Sequence, residues 1–466
     1  MEGNLTTIRS EIEKQLSRSG HTLASFAKLS GLNRGSLSAI LHGNPPKPIS
    51  LGQLDAITKS LGFPEGWLYP LYVGECFSER KISRRRLEPF LIRCTELGKQ
   101  SCIDEILGRL LESAKALDIV YSVGEKLFCS GKVQESVAFY RIVAENETDR
   151  YSERLAISQF HIFISQQAIV DMEERLRTLI VFEPFRGRLP EPLQLEGLLR
   201  LAKVCFHLHR WEEMEGYGDE LRALAQGIYQ QEPVKSGSKR AEMLGMERPL
   251  VFYYGHGYLI KAMALTKQGH YAEAKKYTAG YADLSWFRLL DDEGRLAVEK
   301  LSMYAAANSF ALELLGGNIS VLPGYTAFLA ENPGEILAGL IIIMQAANRY
   351  GFKADAILAR FSREIQRFEQ FQDPINVDRL YRLSYQTALY LTSHNQYQQA
   401  VRLVLQSLKL AIRLNNGKEL IKVVILFETN REYADAAQRM EYGDIVKGME
   451  QHPIAAANEN RHFGIM

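Results

Sequence analysis

The sequence has few of the features that mark secreted, membrane-spanning or strongly charged proteins. Its 466 residues contain five cysteines, all isolated and without a C-x-x-C pair, and the formal net charge is only +1. Sparse single cysteines predict reduced thiols in a cytosolic compartment. The start of the chain lacks the basic and apolar regions of a signal peptide, and the most apolar run, 336–347, is shorter than the roughly 20 residues of a membrane span. We therefore expect a soluble cytoplasmic protein without a membrane partner.

Signatures of enzymes are also missing. The sequence has no nucleophile elbow, Walker loop or kinase motif, and Gly255-His-Gly257 lacks the further glycine and the preceding strand of a nucleotide-binding loop. Cys205 and His209 would share a helix face, as a metal clip requires, but no third ligand lies within sequence reach. We interpret these two residues and His207 as packing residues. The sequence thus predicts no catalytic residue, no metal and no cofactor.

The sequence does contain, near its start, two short amphipathic helices at a sharp turn. The spacing predicts helices over 23–30 and 34–41, with Gly31 at a positive φ in the turn and Asn33 as the N-cap of the second helix. The apolar positions expected to face one core are Ala24, Ala27, Leu32, Leu37 and Ile40. Short or hydrogen-bonding side chains remain on the outer face of the second helix, and such a face can approach base edges in a major groove. The residues predicted to contact DNA are Asn33, Arg34, Ser36, Ser38, Ala39 and the nearby Lys47.

Further short helices are predicted on both sides of this pair. An amphipathic helix is expected over 5–17, and a capping box from Ser50 to Gln53 opens another helix, which Gly62 ends. A last short helix is expected to run from Pro64 to Trp67. Five short helices in this order resemble the Cro/C1-type helix-turn-helix of phage repressors and related bacterial regulators. The residues that carry the resemblance are Ala27, Gly31, Leu32, Leu37, Ile40, Gly43 and the segment 50–64.

The resemblance implies a DNA-binding domain over 1–72, followed by a linker or first helix over 73–90. One position departs from the family. Where the family usually has a glutamine that braces a phosphate contact, this chain has Leu23. The basic run Arg84-Arg85-Arg86 has two interpretations, either contacts to flanking phosphates or the solvated start of a helix.

The rest of the chain, 91–466, shows apolar residues at helical spacing and a loosely repeated turn. In each copy a Gly-like residue is followed two residues later by an aromatic or apolar residue, and five residues later by a small or apolar one. The copies begin at Gly131, His209, Gly269, Gly351, Asn395 and Arg431. The pattern favours packing: the first residue ends a helix, the aromatic inserts between two helices, and the small residue permits close approach.

This pattern resembles the tetratricopeptide repeat, whose unit is about 34 residues. The resemblance implies an all-α, right-handed solenoid of about eight to ten helical pairs, each stabilised by its neighbours. The first helix of each pair would line a concave groove, where amides can pair with a peptide backbone and arginines with carboxylates. The residues predicted to bind a peptide there are Tyr304, Asn308, Gln345, Asn348, Arg349, Arg382 and Tyr385, with His256, Met263, Lys267 and Leu389 on the same surface.

As a whole, the chain resembles the RRNPP group of peptide-sensing regulators, and within it the AimR and AloR styles. The resemblance implies a cytoplasmic transcription regulator that dimerises, or forms a higher homo-oligomer, through its solenoid and binds double-stranded operator DNA. A short signalling peptide in the groove would shift the population of DNA-competent dimers, with a sign that the sequence does not encode. The alternative is a repeat protein that binds a partner protein, as Rap-type members of the group do, with the N-terminal domain as an adaptor.

Overall fold

The computed structural model describes residues 7–77, 83–113, 115–166, 172–231, 246–288, 290–414 and 417–451, and every regular element in these ranges is helical. The all-α prediction is therefore confirmed for this part of the chain. Contacts divide the chain into two compact units, 1–166 and 167–466.

The first unit contains ten helices in its described part. They are α1 (Ile8–Arg18), α2 (Leu23–Ser30), α3 (Arg34–His42), α4 (Leu51–Ser60), α5 (Tyr69–Cys76), α6 (Arg84–Glu96), α7 (Gln100–Leu110), α8 (Ala116–Cys129), α9 (Val133–Asn146) and α10 (Glu153–Ser165). The predicted helix over 5–17 begins at Ile8 and reaches Arg18, and Leu5 lies outside the described residues.

Local capping explains where the first helices begin. Thr7, Thr22 and Ser50 each form a capping box with the residue three positions later, and Asn33 accepts hydrogen bonds from the first turn of α3. Gly31 has a φ of 67°, as the turn between α2 and α3 requires. The predicted caps at Asn33 and Ser50 are confirmed. The sequence did not predict the boxes at Thr7 and Thr22, because the residue three positions later is a serine rather than Glu or Gln.

Two expectations about this region are wrong. Ala24 is exposed, and Phe26, which the spacing overlooked, is fully buried against Leu37 and Ile40 in the same core. A phenylalanine removes far more apolar surface from water than an alanine, so α2 rotates to bury it. The segment from Pro64 to Trp67 forms turns, and the next helix, α5, begins only at Tyr69.

A single apolar core runs from the first helices into the helices that follow. It includes buried residues from Ile8 in α1 to Val143 in α9. Phe90 of α6 is fully buried, and its ring lies 5.0 Å from that of Tyr69 and 4.9 Å from that of Tyr72, both in α5. Residues 83–90 were expected to belong to a linker or first helix. Ser83 is the N-cap of α6, and residues 84–90 form the first half of that helix. The domain bounds at 72 and 90 remain a prediction, but the described helices on either side of them share one core.

The second unit continues with helix after helix. They are α11 (Met172–Phe182), α12 (Glu191–Leu208), α13 (Trp211–Gln231), α14 (Leu250–Gln268), α15 (Tyr271–Ala279), α16 (Asp292–Leu315), α17 (Leu322–Glu331), α18 (Ile336–Tyr350), α19 (Asp355–Arg360), α20 (Ser362–Phe368), α21 (Pro374–Ser393), α22 (Tyr397–Arg413), α23 (Gly417–Asn430) and α24 (Ala436–Gln451). Helices joined by a short turn pack together. Contacts also link successive hairpins: α13 contacts α14, α15 contacts α16, α16 contacts α18, α18 contacts α21, and α22 contacts α23. Contact between successive hairpins is consistent with an α-solenoid.

Five of the six predicted turn residues adopt the left-handed backbone that ends a helix. The φ angles are 81° at Gly131, 84° at Gly269 and 73° at Gly351, and the two non-glycine cases, His209 and Asn395, have φ of 58° and 59°. A left-handed residue just after a helix is a common C-terminal cap, so the repeated turn is confirmed at these positions.

The register of two of the six turns differs from the expectation. After Gly351 and Arg431 the next helices begin four and five residues later, at Asp355 and Ala436, whereas the other described copies resume helix after two. The buried small residues are consequently Ala354 and Ala434, while Ala356 and Ala436 are exposed. Arg431 begins a 3-10 turn rather than adopting a positive φ.

Within the described ranges, no one helix has both the length and the apolar composition that crossing a membrane requires. The bent pair 319–331 and 333–350, which turns by 117°, reaches them only when its two helices are combined.

Candidate functional site

The first candidate site is the N-terminal end of α3. The side chains of Asn33 and Arg34 are exposed there, and those of Ser36, Ser38 and Ala39 are half-buried. Asn33 Oδ1 accepts hydrogen bonds from the backbone N–H groups of Gly35, at 2.8 Å, and of Ser36, at 3.3 Å. Its amide oxygen therefore caps the helix, which leaves the amide nitrogen to donate outward. Arg34 forms no ion pair with any described residue, so its guanidinium is available to a ligand.

The segment after α3 folds back against the end of that helix. The backbone N–H of Lys47 donates to the carbonyl of Ala39 at 2.9 Å, and the Lys47 side chain is exposed. A Cβ added to Gly43 would stand 2.4 Å from the Ala39 carbonyl oxygen, so this return of the chain requires glycine. The six residues predicted to contact DNA are thus all at least partly accessible and lie on α3, its cap and its return segment.

Arg9 of α1 holds this arrangement together. Its Nε donates to the carbonyl of Ile40 at 2.9 Å and its Nη2 to that of Lys47 at 3.3 Å, while Nη1 lies 2.5 Å from Oε1 of Glu75 in α5. Sequence reasoning missed Arg9 and Glu75. No local pattern could have found them, since the contacts join segments that are 31 to 66 residues apart.

Replacing Arg9 with methionine should lower the free energy of unfolding by about 2 kcal/mol, because it removes an ion pair of low exposure and two hydrogen bonds to carbonyls. Urea denaturation followed by circular dichroism measures the change. Arg18→Met is the matched control, since Arg18 is exposed at the end of the same helix and has no ion pair with a described residue. Equal losses in the two variants would show that Arg9 braces nothing.

The basic run at the start of α6 is engaged largely within the fold. Arg84 pairs with Glu88, and Nη1 of Arg86 donates to the carbonyl of Glu75 at 3.1 Å, whereas Arg85 is exposed. For Arg84 and Arg86, these bonds favour the interpretation as the start of a helix over contacts to flanking phosphates. Contact of Arg85 with a flanking phosphate remains a prediction.

The second candidate site lies among the repeats of the second unit, where several predicted peptide-binding residues tie hairpins together. Asn308 donates to the hydroxyl of Tyr281 at 2.8 Å, and Asn348 donates to both oxygens of Gln386 at 2.9 Å. Arg349 donates to the hydroxyl of Tyr271, which lies 78 residues earlier, at 3.3 Å. These three contacts show that the repeat pattern selected residues that face neighbouring hairpins. Their side chains therefore already have hydrogen-bond partners.

The other four predicted residues differ in exposure: Arg382 is exposed, and the rest are half-buried. Tyr304 and Gln345 are half-buried, and burial, followed by the charge of Glu335, raises the pKa of Tyr304. Tyr385 stacks on Tyr381 with 6.1 Å between ring centres, and Arg382 pairs with Asp378 of its own helix at 2.8 Å. Among the described residues, Gln345 has no side-chain hydrogen bond. Of the associated residues, His256 stacks on Phe252 at 3.7 Å, and Met263 and Leu389 are half-buried.

A group of basic side chains accompanies this surface. It comprises Lys203 and His207 of α12, Lys267 of α14 and Arg382 of α21, and we call it the basic inner face. Burial lowers the pKa of Lys203, as the charges of Arg200 and Arg175 also do. Burial and then the charge of Arg382 lower the pKa of Lys267, although its side chain is exposed. Because Lys267 is exposed and its ammonium lies over the ring of Phe206 on α12, it borders the space between α12 and α14, which we call the recess.

His207 belongs to the same recess. Burial, followed by the charges of Arg175 and Lys203, lowers the pKa of His207 to about 4. Sequence reasoning placed Lys267 and Arg382 on the groove but treated His207 as a packing residue and overlooked Lys203. The available signal was the four-residue spacing of Lys203 and His207, which puts both on one face of a helix.

The motifs set aside as non-functional have packing explanations. A Cβ on Gly255 would stand 2.4 Å from a methyl carbon of Leu301, and one on Gly257 would stand 2.8 Å from the carbonyl oxygen of Gly218. Cys205 is buried, and His209 stacks on Trp211 at 5.2 Å. Within the part of the chain that the structure describes, no three His, Cys, Asp or Glu side chains are grouped as metal ligands.

Comparison with known proteins adds little to this geometry. No protein-family model and no curated protein matches the chain. Among solved structures, the chain is similar to one described as "Circular tandem repeat protein with novel repeat topology and enhanced subunit contact surfaces". The two share 14% identity, with 96% of this chain and 90% of that chain covered, at a TM-score of 0.20. A TM-score this low supports no conclusion about fold or function.

Proposed function

We propose that this chain is a cytoplasmic, non-enzymatic transcription regulator of the peptide-sensing type. In this proposal the helices α1–α5 form a Cro/C1-type helix-turn-helix domain, and α3 enters the major groove of operator DNA. The repeats form a tetratricopeptide-like, right-handed solenoid that binds a short signalling peptide and joins two copies into a homodimer. The observation that carries the proposal is the capped N-terminus of α3, with Arg34 exposed and small side chains behind it.

The size of these side chains matters for the proposed DNA contact. A helix must lie deep in the major groove before its residues reach base edges. Gly35, Ser36, Ser38 and Ala39 add little bulk to the face of α3, so they permit that approach, while Arg34 is long enough to reach the O6 and N7 atoms of a guanine. Lys47 is placed to reach a phosphate, which would fix the register without reading sequence.

The packing of the first unit supports coupling between its hairpins and α3. The helices α1–α5 share their core with α6–α9, so a change in the packing of these hairpins reaches α3 through that core. Two copies of α3 bind a palindromic operator only when the dimer holds them about one turn of DNA apart. A peptide that favours one arrangement of the repeats would change that spacing and so the affinity for DNA.

Arg34→Ala should weaken binding to the operator by about tenfold or more, because a bidentate contact to guanine contributes about 1–3 kcal/mol. Chromatin mapping first identifies the bound sites, and a mobility-shift assay with one of them measures the affinity. Ser38→Ala, on the same face, should have a smaller effect in the same direction. The control is Lys59→Ala, since Lys59 is exposed on α4 and has no ion pair with a described residue.

Unchanged affinity in both Arg34→Ala and Ser38→Ala would contradict the regulator proposal. The remaining interpretation would then be the adaptor, a repeat protein that binds a partner protein.

A further inference from the structure

The basic inner face is assembled from segments far apart in the chain. Lys203 and His207 lie one turn apart on α12, and the ammonium of Lys267 in α14 lies 5.8 Å from the ring centre of Phe206, their neighbour on α12. The ammonium of Lys267 therefore lies beside the part of α12 that carries His207 and, one turn earlier, Lys203.

Arg382 completes the face from the far end of the unit. Although α21 follows α12 by more than 160 residues, the charge of Arg382 acts on both His207 and Lys267. Arg382 is therefore close enough to both residues to share their electrostatic environment. Side chains that converge from non-consecutive helices in this way line an inner surface, where a ligand contacts several hairpins at once.

The charge of this surface is poorly balanced from within. Some other lysines of the unit are paired, as in Lys261 with Asp219 at 2.5 Å and Lys409 with Glu441 at 2.7 Å. Lys203 and Lys267, by contrast, have no ion pair with any described residue. Two partly desolvated ammonium groups that no described carboxylate pairs with directly raise the potential of the recess and attract anions.

Two carboxylates limit which anion fits. Asp378 pairs with Arg382 at 2.8 Å and also acts on Lys267, and Glu196 acts on Lys203. A continuous run of phosphates would be repelled by these acids. Discrete carboxylates on a peptide can reach the lysines and still avoid them. Gln345, which has no side-chain hydrogen bond to a described residue, can pair with a peptide N–H or C=O.

We propose that the basic inner face binds the carboxylate groups of an acidic peptide, with Lys203 and Lys267 as the principal contacts and Arg382 as a third. The inference rests on the proposed function, in which the repeats bind a peptide, and adds the chemical class of that peptide. Charge-assisted hydrogen bonds to both ammonium groups then replace the missing internal partners.

The test measures binding of a fluorescein-labelled hexaglutamate peptide to the full chain by fluorescence anisotropy at low ionic strength. We expect saturable binding that weakens as salt is added. Lys203→Gln and Lys267→Gln should each weaken it by about three- to tenfold, and the double variant by more than tenfold. Lys276→Gln is the matched control, because Lys276 is exposed on α15, the second helix of its hairpin, and should leave the affinity unchanged.

Three results would overturn the inference: no saturable binding of hexaglutamate, binding that the double variant retains, or tighter binding of a labelled hexathymidylate strand with the same dependence on the two lysines. The last result would identify a nucleic acid as the ligand. Replacing partly desolvated cations should not lower the thermal unfolding midpoint, and circular dichroism checks that each variant is folded.

The outcome is independent of the DNA-binding proposal. Operator binding that depends on Arg34, together with absent hexaglutamate binding, would overturn only the acidic-peptide inference. Hexaglutamate binding with no operator binding would leave the inner face intact and contradict the regulator.

Discussion

Replacing Phe90 with alanine should lower the free energy of unfolding of the first unit by about 3–5 kcal/mol. Phe90 is fully buried, and its ring packs edge-on against Tyr69 and Tyr72. The substitution removes the aromatic contacts and leaves a cavity between α5 and α6. Because these helices share one core, we expect α1–α5 to lose protection from hydrogen exchange together with α6–α9. Denaturation in urea and hydrogen exchange measured by mass spectrometry report the two effects.

The control for this prediction is Leu111→Ala, since Leu111 is 38% exposed just beyond α7 and should change stability by less than about 1 kcal/mol. Unaltered protection of α1–α5 in Phe90→Ala would show that residues 1–72 fold independently, as the sequence-based domain bounds suggest. It would also remove the proposed direct route from the repeats to α3.

Replacing Gly257 with alanine should destabilise the second unit by about 2–3 kcal/mol. Gly218 of α13 and Gly257 of α14 face each other where these helices cross. A Cβ on Gly257 would stand 2.8 Å from the carbonyl oxygen of Gly218 and 2.8 Å from the backbone nitrogen of Arg222. Backbone atoms cannot rotate away, so the two helices must separate. Urea denaturation followed by intrinsic tryptophan fluorescence, to which Trp211 on α13 contributes, measures the loss.

Gly216→Ala provides a control of opposite sign. Gly216 lies on the same helix as Gly218, is exposed, and has nothing within 4 Å of its added Cβ. Alanine there should stabilise the helix by up to about 1 kcal/mol, because it reduces the entropy of the unfolded chain. Stabilisation by both substitutions would mean that α13 and α14 do not cross as closely as described.

Phe90→Ala and Gly257→Ala test the helix packing on which the proposed mechanism depends, rather than contacts with a ligand. The first tests whether α3 is joined to the following hairpins by a common core. The second tests whether the hairpins of the second unit are packed closely enough to act together. A regulator that senses a ligand in its repeats needs both, because coupling passes through packed elements with two arrangements.

The sequence alone determined much of the local structure. Gly31 and Asn33 were identifiable because a left-handed turn favours glycine and an exposed helix start favours a side chain that accepts hydrogen bonds. His209 and Asn395 were found through their repeated neighbours, although neither is glycine. The helical class followed from apolar spacing. In each case the deciding interactions span only a few residues, so the pattern is complete within a short window of sequence.

Only the tertiary structure decided the rest. The burial of Phe26 in place of Ala24, the bracing of α3 by Arg9, and the position of Lys267 over the ring of Phe206 depend on which distant helices pack together. The repeat pattern predicted Tyr304, which is half-buried, as a groove residue. It also predicted Asn348 and Arg349, whose hydrogen-bond partners lie on other hairpins. Short-range chemistry specifies where helices begin and end, whereas a side chain's partners are set by contacts between segments that the linear order does not reveal.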